Sequence, residues 1–173
     1  MSQEIYHEKQ SFMFCAIHAI NNLFQKKLFT KAQFDEICKL LSPDYYINPH
    51  KSVLGIGNYD VNCIMKALES QEKELIWYDK RREITAESIE INNNSLFGYI
   101  LNAPSDYTFG FISIPIKSRH WITFRKGNDD NFYNLDSKLD RPKLIGSSED
   151  FIIYLKNEMI TNDKELFIVI SKN

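Results

Sequence analysis

The apolar residues of this chain change period after Gln71, and that change limits the folds open to it. Before it they recur at helical spacing: Ala16, Ala19, Ile20 and Leu23, then Phe34, Ile37, Leu40 and Leu41, then Val61, Ile64, Met65 and Leu68. After it come short runs that read as strands: Leu75 to Tyr78, Phe97 to Asn102, HWITFR from His120, NFYNL from Asn131, and Leu166 to Ile170. The polar linker KGNDD joins the third and fourth runs as an antiparallel hairpin. A further helix is expected from about Ser148 to Met159. Helices first and antiparallel strands later is the α+β pattern, and 173 residues suit one domain spanning 1–173.

The punctuation supports this order. Thr30 opens the second helix, Ser42-Pro43 ends it, and Asn58 is the expected cap of the third. Residues 43–58 lack periodicity and form a loop of a length that usually serves function or motion. Within it, Gly55-Ile56-Gly57 lacks the glycine spacing of a phosphate loop. Residues 84–94 fit neither period, and 103–118, with Pro104, Gly110 and Pro115, read as an excursion off the sheet.

A formal net charge of -2 argues against a chain built for nucleic acid. The polar opening MSQEIYHEKQ is no secretory signal, and no apolar run reaches membrane-spanning length. The three cysteines lie far apart in the chain, show no metal-ligand spacing and cannot all pair. Free thiols in a reducing compartment are expected, so the protein is placed in the cytoplasm, with the nucleus as a second address.

Cys15 stands where an irregular segment enters the first helix. The positive end of the macrodipole and the unpaired N–H groups there favour a thiolate, which is the nucleophilic form. Gln10, five positions earlier, offers an amide NH2 to a developing oxyanion. His120 precedes Trp121 at the expected start of one hairpin strand, and Asp136 follows the end of the other. Across such a ladder they can meet, Asp136 on one ring nitrogen and Cys15 on the other. Taken singly, each residue is more simply a core thiol, an edge histidine or a turn former. The ordered set Gln10, Cys15, His120 and Asp136 is what points to a cysteine hydrolase.

The other candidates weigh less. His18 shares a helix face with Cys15, which suits support better than a catalytic base. His7 reads as a surface residue, and His50 as exposed or facing a substrate. Cys38 reads as a small buried hydrophobe, and nothing in the sequence marks Cys63 as activated.

HEKQSFMFCAIHAINNLFQ resembles the N-terminal signature of the Josephin family, and HWITFRKGNDDNFYNLDSKL resembles its histidine-bearing hairpin. LGIGNYDVNCIMKAL and NLDSKLDRPKLIG are similar to the small stand-alone members. The resemblance implies a papain-like cysteine protease fold, with N-terminal helices packed on a mostly antiparallel sheet. It implies a deubiquitinase that hydrolyses isopeptide or ester bonds at the C-terminal glycine of ubiquitin through an acyl-enzyme. Cys15 matches the nucleophile, His120 the base and acid, Asp136 the orienting residue and Gln10 the oxyanion glutamine. No metal or cofactor is implied. The implied partners are ubiquitin and ubiquitinated proteins, with no nucleic acid, no membrane span and a monomeric state. The second helix and the loop to about residue 58 match the family's mobile arm, and Phe14 and Trp121 are candidate walls of a narrow cleft. A non-catalytic ubiquitin-binding module, a latent enzyme and an acyltransferase with the same residues are the alternatives.

Overall fold

A computed structural model describes residues 5–11, 13–44, 48–51, 57–109 and 112–172, with the backbone alone for 106–109 and 112–117. The elements run α1 (Cys15–Phe24), α2 (Lys31–Leu41), α3 (Val61–Glu69), β1 (Lys73–Trp77), β2 (Leu96–Phe109), β3 (Ile112–Lys126), β4 (Phe132–Asn134), β5 (Lys143–Gly146), α4 (Ser148–Glu158) and β6 (Glu165–Ser171). The strands form one sheet in the order β1-β6-β2-β3-β4-β5, each antiparallel to its neighbours. Among the described residues no helix is long and apolar enough to cross a membrane.

Alternation along the strands sends side chains into two separate cores. Ile100, Phe167 and Val169 join α1, α2 and α3 on one face. Tyr99, Leu101, Leu166 and Ile168 turn to the other, against Phe151 and Leu155 of α4 and the 84–91 turns, where Phe132 stacks on Phe151 with ring centroids 4.2 Å apart. Both faces of the sheet are therefore covered, as the continuous apolar runs in β2 and β6 require.

Local chemistry explains most element ends. Gln33 Oε1 accepts from the Thr30 N–H at 2.8 Å and from its hydroxyl at 2.9 Å, which fixes the start of α2. Ser147 and Asp150 form the equivalent box at α4. Three expectations change. The cap of α3 is Asp60, whose carboxylate accepts from the N–H groups of Asn62 and Cys63, whereas Asn58 sits before it at φ 60°. Residues 103–109 and 112–118 continue β2 and β3 as one long hairpin, with a register shift between Asp106 and Tyr107. Pro104 and Pro115 are thus tolerated within paired strands; residues 110–111 lie outside the described residues. His120 consequently lies well inside β3 and does not open it. Much of the loop matched to the family's arm, including residues 52–56, also lies outside the described residues.

Candidate active site

Cys15 is the first residue of α1, and no side chain caps that end of the helix. Its first turn carries no acidic residue either, so no carboxylate opposes an anion there. β3 runs alongside α1, where the Thr123 hydroxyl donates to the Ala19 carbonyl at 2.7 Å. This contact sets His120 beside the helix start. The Cys15 thiol lies 4.0 Å from the Arg119 carbonyl, one residue before His120, and is close enough to act on the His120 ring.

His120 Nε2 lies 2.6 Å from Asp136 Oδ1, which leaves Nδ1 for the sulfur. Burial pulls this imidazole toward its neutral form. The hydrogen bonds and charges of Asp136 and Cys15 outweigh burial and hold His120 above its ordinary value of 6.5. Burial likewise pushes the Asp136 carboxyl up. The bond and charge of His120, the Lys138 N–H and the Lys138 ammonium outweigh it and hold Asp136 below 3.8. Asp136 is fixed on both sides: its N–H donates to Asn134 Oδ1 at 2.8 Å, and its Oδ1 accepts from the Lys138 N–H at 2.9 Å.

Gln10 is tied to the residue that follows Asp136. Its N–H donates to the Ser137 carbonyl at 2.8 Å, and the Ser137 hydroxyl donates back to Gln10 Oε1 at 3.1 Å. With its oxygen so engaged, the amide presents its NH2 away from Ser137. The residue after Asp136 thus orients Gln10.

A polar stripe holds the segment that carries Gln10. His18, Asn21, Asn22 and Gln25 recur at i, i+3, i+4 and i+7 along and just past α1, so they share one face. Gln25 Oε1 accepts from the Tyr6 N–H at 3.0 Å. Asn22 Oδ1 accepts from the Glu8 N–H at 2.6 Å, while its Nδ2 donates to the Leu135 carbonyl at 2.9 Å. His18 Nδ1 lies 2.6 Å from Glu8 Oε2, and Asn21 donates to both Glu8 oxygens at 3.1 Å. His18 is therefore a support, as expected. The sequence signal for this stripe is four polar residues at helical spacing in an otherwise apolar helix.

Two histidines differ from expectation. His7 is half-buried, with Nε2 3.0 Å from the Leu139 carbonyl, and adds another tie between the N-terminal segment and the turn after Asp136. His50 Nδ1 lies 2.7 Å from Asp60 Oδ2, and its carbonyl accepts from the Asp60 N–H at 3.1 Å, which pins the loop to the cap of α3. Trp121 is no open wall of a cleft. It is buried against Phe167 and donates its indole N–H to the Tyr59 carbonyl at 3.0 Å. Among the described residues no group of three or more His, Cys, Asp or Glu side chains could hold a metal ion.

The Josephin family model matches residues 10–170 of this chain. A Josephin-like protein of Drosophila melanogaster is 41% identical over 174 residues, covering 99% of this chain and 76% of that protein. Josephin-2 of Homo sapiens is 40% identical over 168 residues, covering 97% of this chain and 87% of that protein. Ataxin-3 of Homo sapiens is more distant, 25% identical over 184 residues, and the match takes in 96% of this chain but 45% of that protein. With a match this long and relatives this similar, the chain belongs to the Josephin family of cysteine peptidases.

Proposed function

We propose that this chain is a thiol-dependent deubiquitinase that cleaves isopeptide or ester bonds at the C-terminal glycine of ubiquitin. Cys15 is the nucleophile. His120 takes the Cys15 proton, and Asp136 holds the imidazolium through Nε2. The thiolate attacks the glycine carbonyl, and the oxyanion sits between the Gln10 NH2 and the Cys15 N–H at the uncapped helix end. His120 gives its proton to the leaving lysine amine or alcohol, leaving a thioester on Cys15. Water, deprotonated by His120, then hydrolyses that thioester and restores the thiol.

The observation that carries this reading is the His120 ring, held by Asp136 at 2.6 Å through Nε2, with the Cys15 thiol close enough to raise its pKa. Family membership supplies the substrate class. The test is a ubiquitin probe with a C-terminal electrophile, with the modified residue located by mass spectrometry. Labelling of Cys15, lost in Cys15→Ala, is the expected result. A folded protein that stays unlabelled at Cys15 under reducing conditions would argue against hydrolysis.

One observation favours a second reading, a latent enzyme. Cys15 is 6% exposed and His120 5%, so a glycine tail needs the site to open. Slow labelling that accelerates on binding of a partner or on modification would distinguish latency from a dead site.

A further inference from the structure

Cys38 and Cys63 lie 25 positions apart in the chain, yet their sulfurs are 2.7 Å apart between α2 and α3. Both residues are fully buried, and the proposed hydrolysis uses neither. Each thiol also lies near the His50 carbonyl, at 3.9 Å for Cys38 and 3.7 Å for Cys63. Two sulfurs bound to one tetrahedral zinc at about 2.3 Å would stand about 3.8 Å apart, so this pair is too close for a shared metal. The separation needs only a sub-ångström approach to reach a disulfide bond of about 2.05 Å.

We infer that Cys38 and Cys63 are a second reactive site, an oxidisable dithiol that closes to an intramolecular disulfide when it meets a peroxide. The two thiols divide the work unequally. The hydrogen bond shared with Cys63 draws the Cys38 thiol down; burial opposes this, and the Lys51 ammonium adds to it. The same shared proton, with burial, pushes Cys63 up. Asp60 and Asp35 also face Cys38 and oppose its ionisation without reversing the direction. We assign the attack to Cys38, the thiol on which the Lys51 ammonium acts, and the resolving step to Cys63.

In the first step the Cys38 thiolate attacks one peroxide oxygen. An S–O bond forms, the O–O bond breaks, and hydroxide leaves with a proton as water. In the second, Cys63 attacks the Cys38 sulfenic acid. The S–S bond forms, the S–O bond breaks, and hydroxide leaves with the Cys63 proton as water. Two thiols lose two electrons and one hydrogen peroxide becomes two waters. The product staples α2 to α3, and α3 begins just after Gly57 and Asn58, which bond to Met13 beside the nucleophile.

The test exposes the full chain to hydrogen peroxide, quenches it, unfolds it, alkylates the remaining thiols and maps the peptides by mass. The expected product is a Cys38–Cys63 cross-linked peptide, two hydrogens lighter than the thiol pair and lost on reduction. Oxidation should raise Tm by roughly 5–10 °C through closure of the loop. In Cys63→Ser, oxidation should stop at Cys38 and give an adduct with a 1,3-dione that traps sulfenic acids. Recovery of Cys38 and Cys63 both alkylated, after an exposure that has consumed Cys15, would overturn the inference. So would a disulfide that uses Cys15, or a cross-link that lowers Tm.

Discussion

His120 Nε2 and Asp136 Oδ1 are 2.6 Å apart although sixteen positions separate them, because β4 pairs with β3 from Lys126 to Phe124 and the Leu135 N–H goes on to donate to the Thr123 carbonyl at 2.8 Å, which carries Asp136 along β3 toward His120. The bond stabilises charge on both partners, and each has its own pH window. His120 is held above 6.5, so its contribution to stability is complete below that value and fades as pH rises through the higher folded pKa. Asp136 is held below 3.8, so its contribution is present above that value and fades as pH falls through the lower folded pKa. Between those limits the pair is intact. We expect kcat/KM to fall on the alkaline side as the imidazolium is lost. Asp136→Asn should move that limb to lower pH and reduce kcat/KM on the order of tenfold. A limb that stays in place would mean that another group holds the charge.

Cys15→Ala should abolish turnover and leave binding of ubiquitin largely intact. His120→Ala should come close to it, since residues acting as one unit do not add. A double variant no worse than either single one, in kcat/KM on a fluorogenic ubiquitin substrate, is the expected pattern.

Ser137 is buried and directs the Gln10 amide. Ser137→Ala frees that amide to rotate, whereas Gln10→Ala removes the donor outright. Loss of one oxyanion donor lowers kcat by about 100-fold or more, so Gln10→Ala should reach that range and Ser137→Ala should fall short of it. KM should change little in either variant. A large KM effect would place Gln10 in substrate binding instead.

Asn22 is fully buried and satisfies the Glu8 N–H and the Leu135 carbonyl together. Asn22→Ala leaves both without that partner and should destabilise the fold by about 2–4 kcal/mol in urea unfolding. Leu23→Met, a volume-conserving change one position on, should cost less than about 1.5 kcal/mol.

Gly57 has φ +110°, and a Cβ there would stand 2.3 Å from the Met13 carbonyl oxygen. Gly57→Ala must therefore break the Met13–Gly57 bridge or strain the backbone, at about 1–3 kcal/mol. A fall in Tm is expected, together with faster probe labelling of Cys15 if this bridge helps to cover the site.

The N-terminal helices, most of the strands and the four residues proposed for chemistry were legible because each leaves a local mark. Periods of 3.6 and 2 reveal apolar faces, Thr30 and Gln33 announce a helix start, and KGNDD announces a hairpin. The long extension of β2 and β3 was not legible, since Pro104 and Pro115 argue locally against strand and only the paired backbone overrides them. β5 was missed because four residues, KLIG, show too little alternation to stand out.

By itself, then, the sequence determined the α+β class and the order in which Gln10, Cys15, His120 and Asp136 occur, since pattern and residue type are properties of neighbours along the chain. Only the tertiary structure decided what depends on distance between remote parts. It tied Gln10 to Ser137, turned His7, His18 and His50 into fixed supports, and brought Cys38 against Cys63. Those contacts arise from how α1, α2, α3 and the sheet pack together, and packing of remote segments leaves no signature in local spacing.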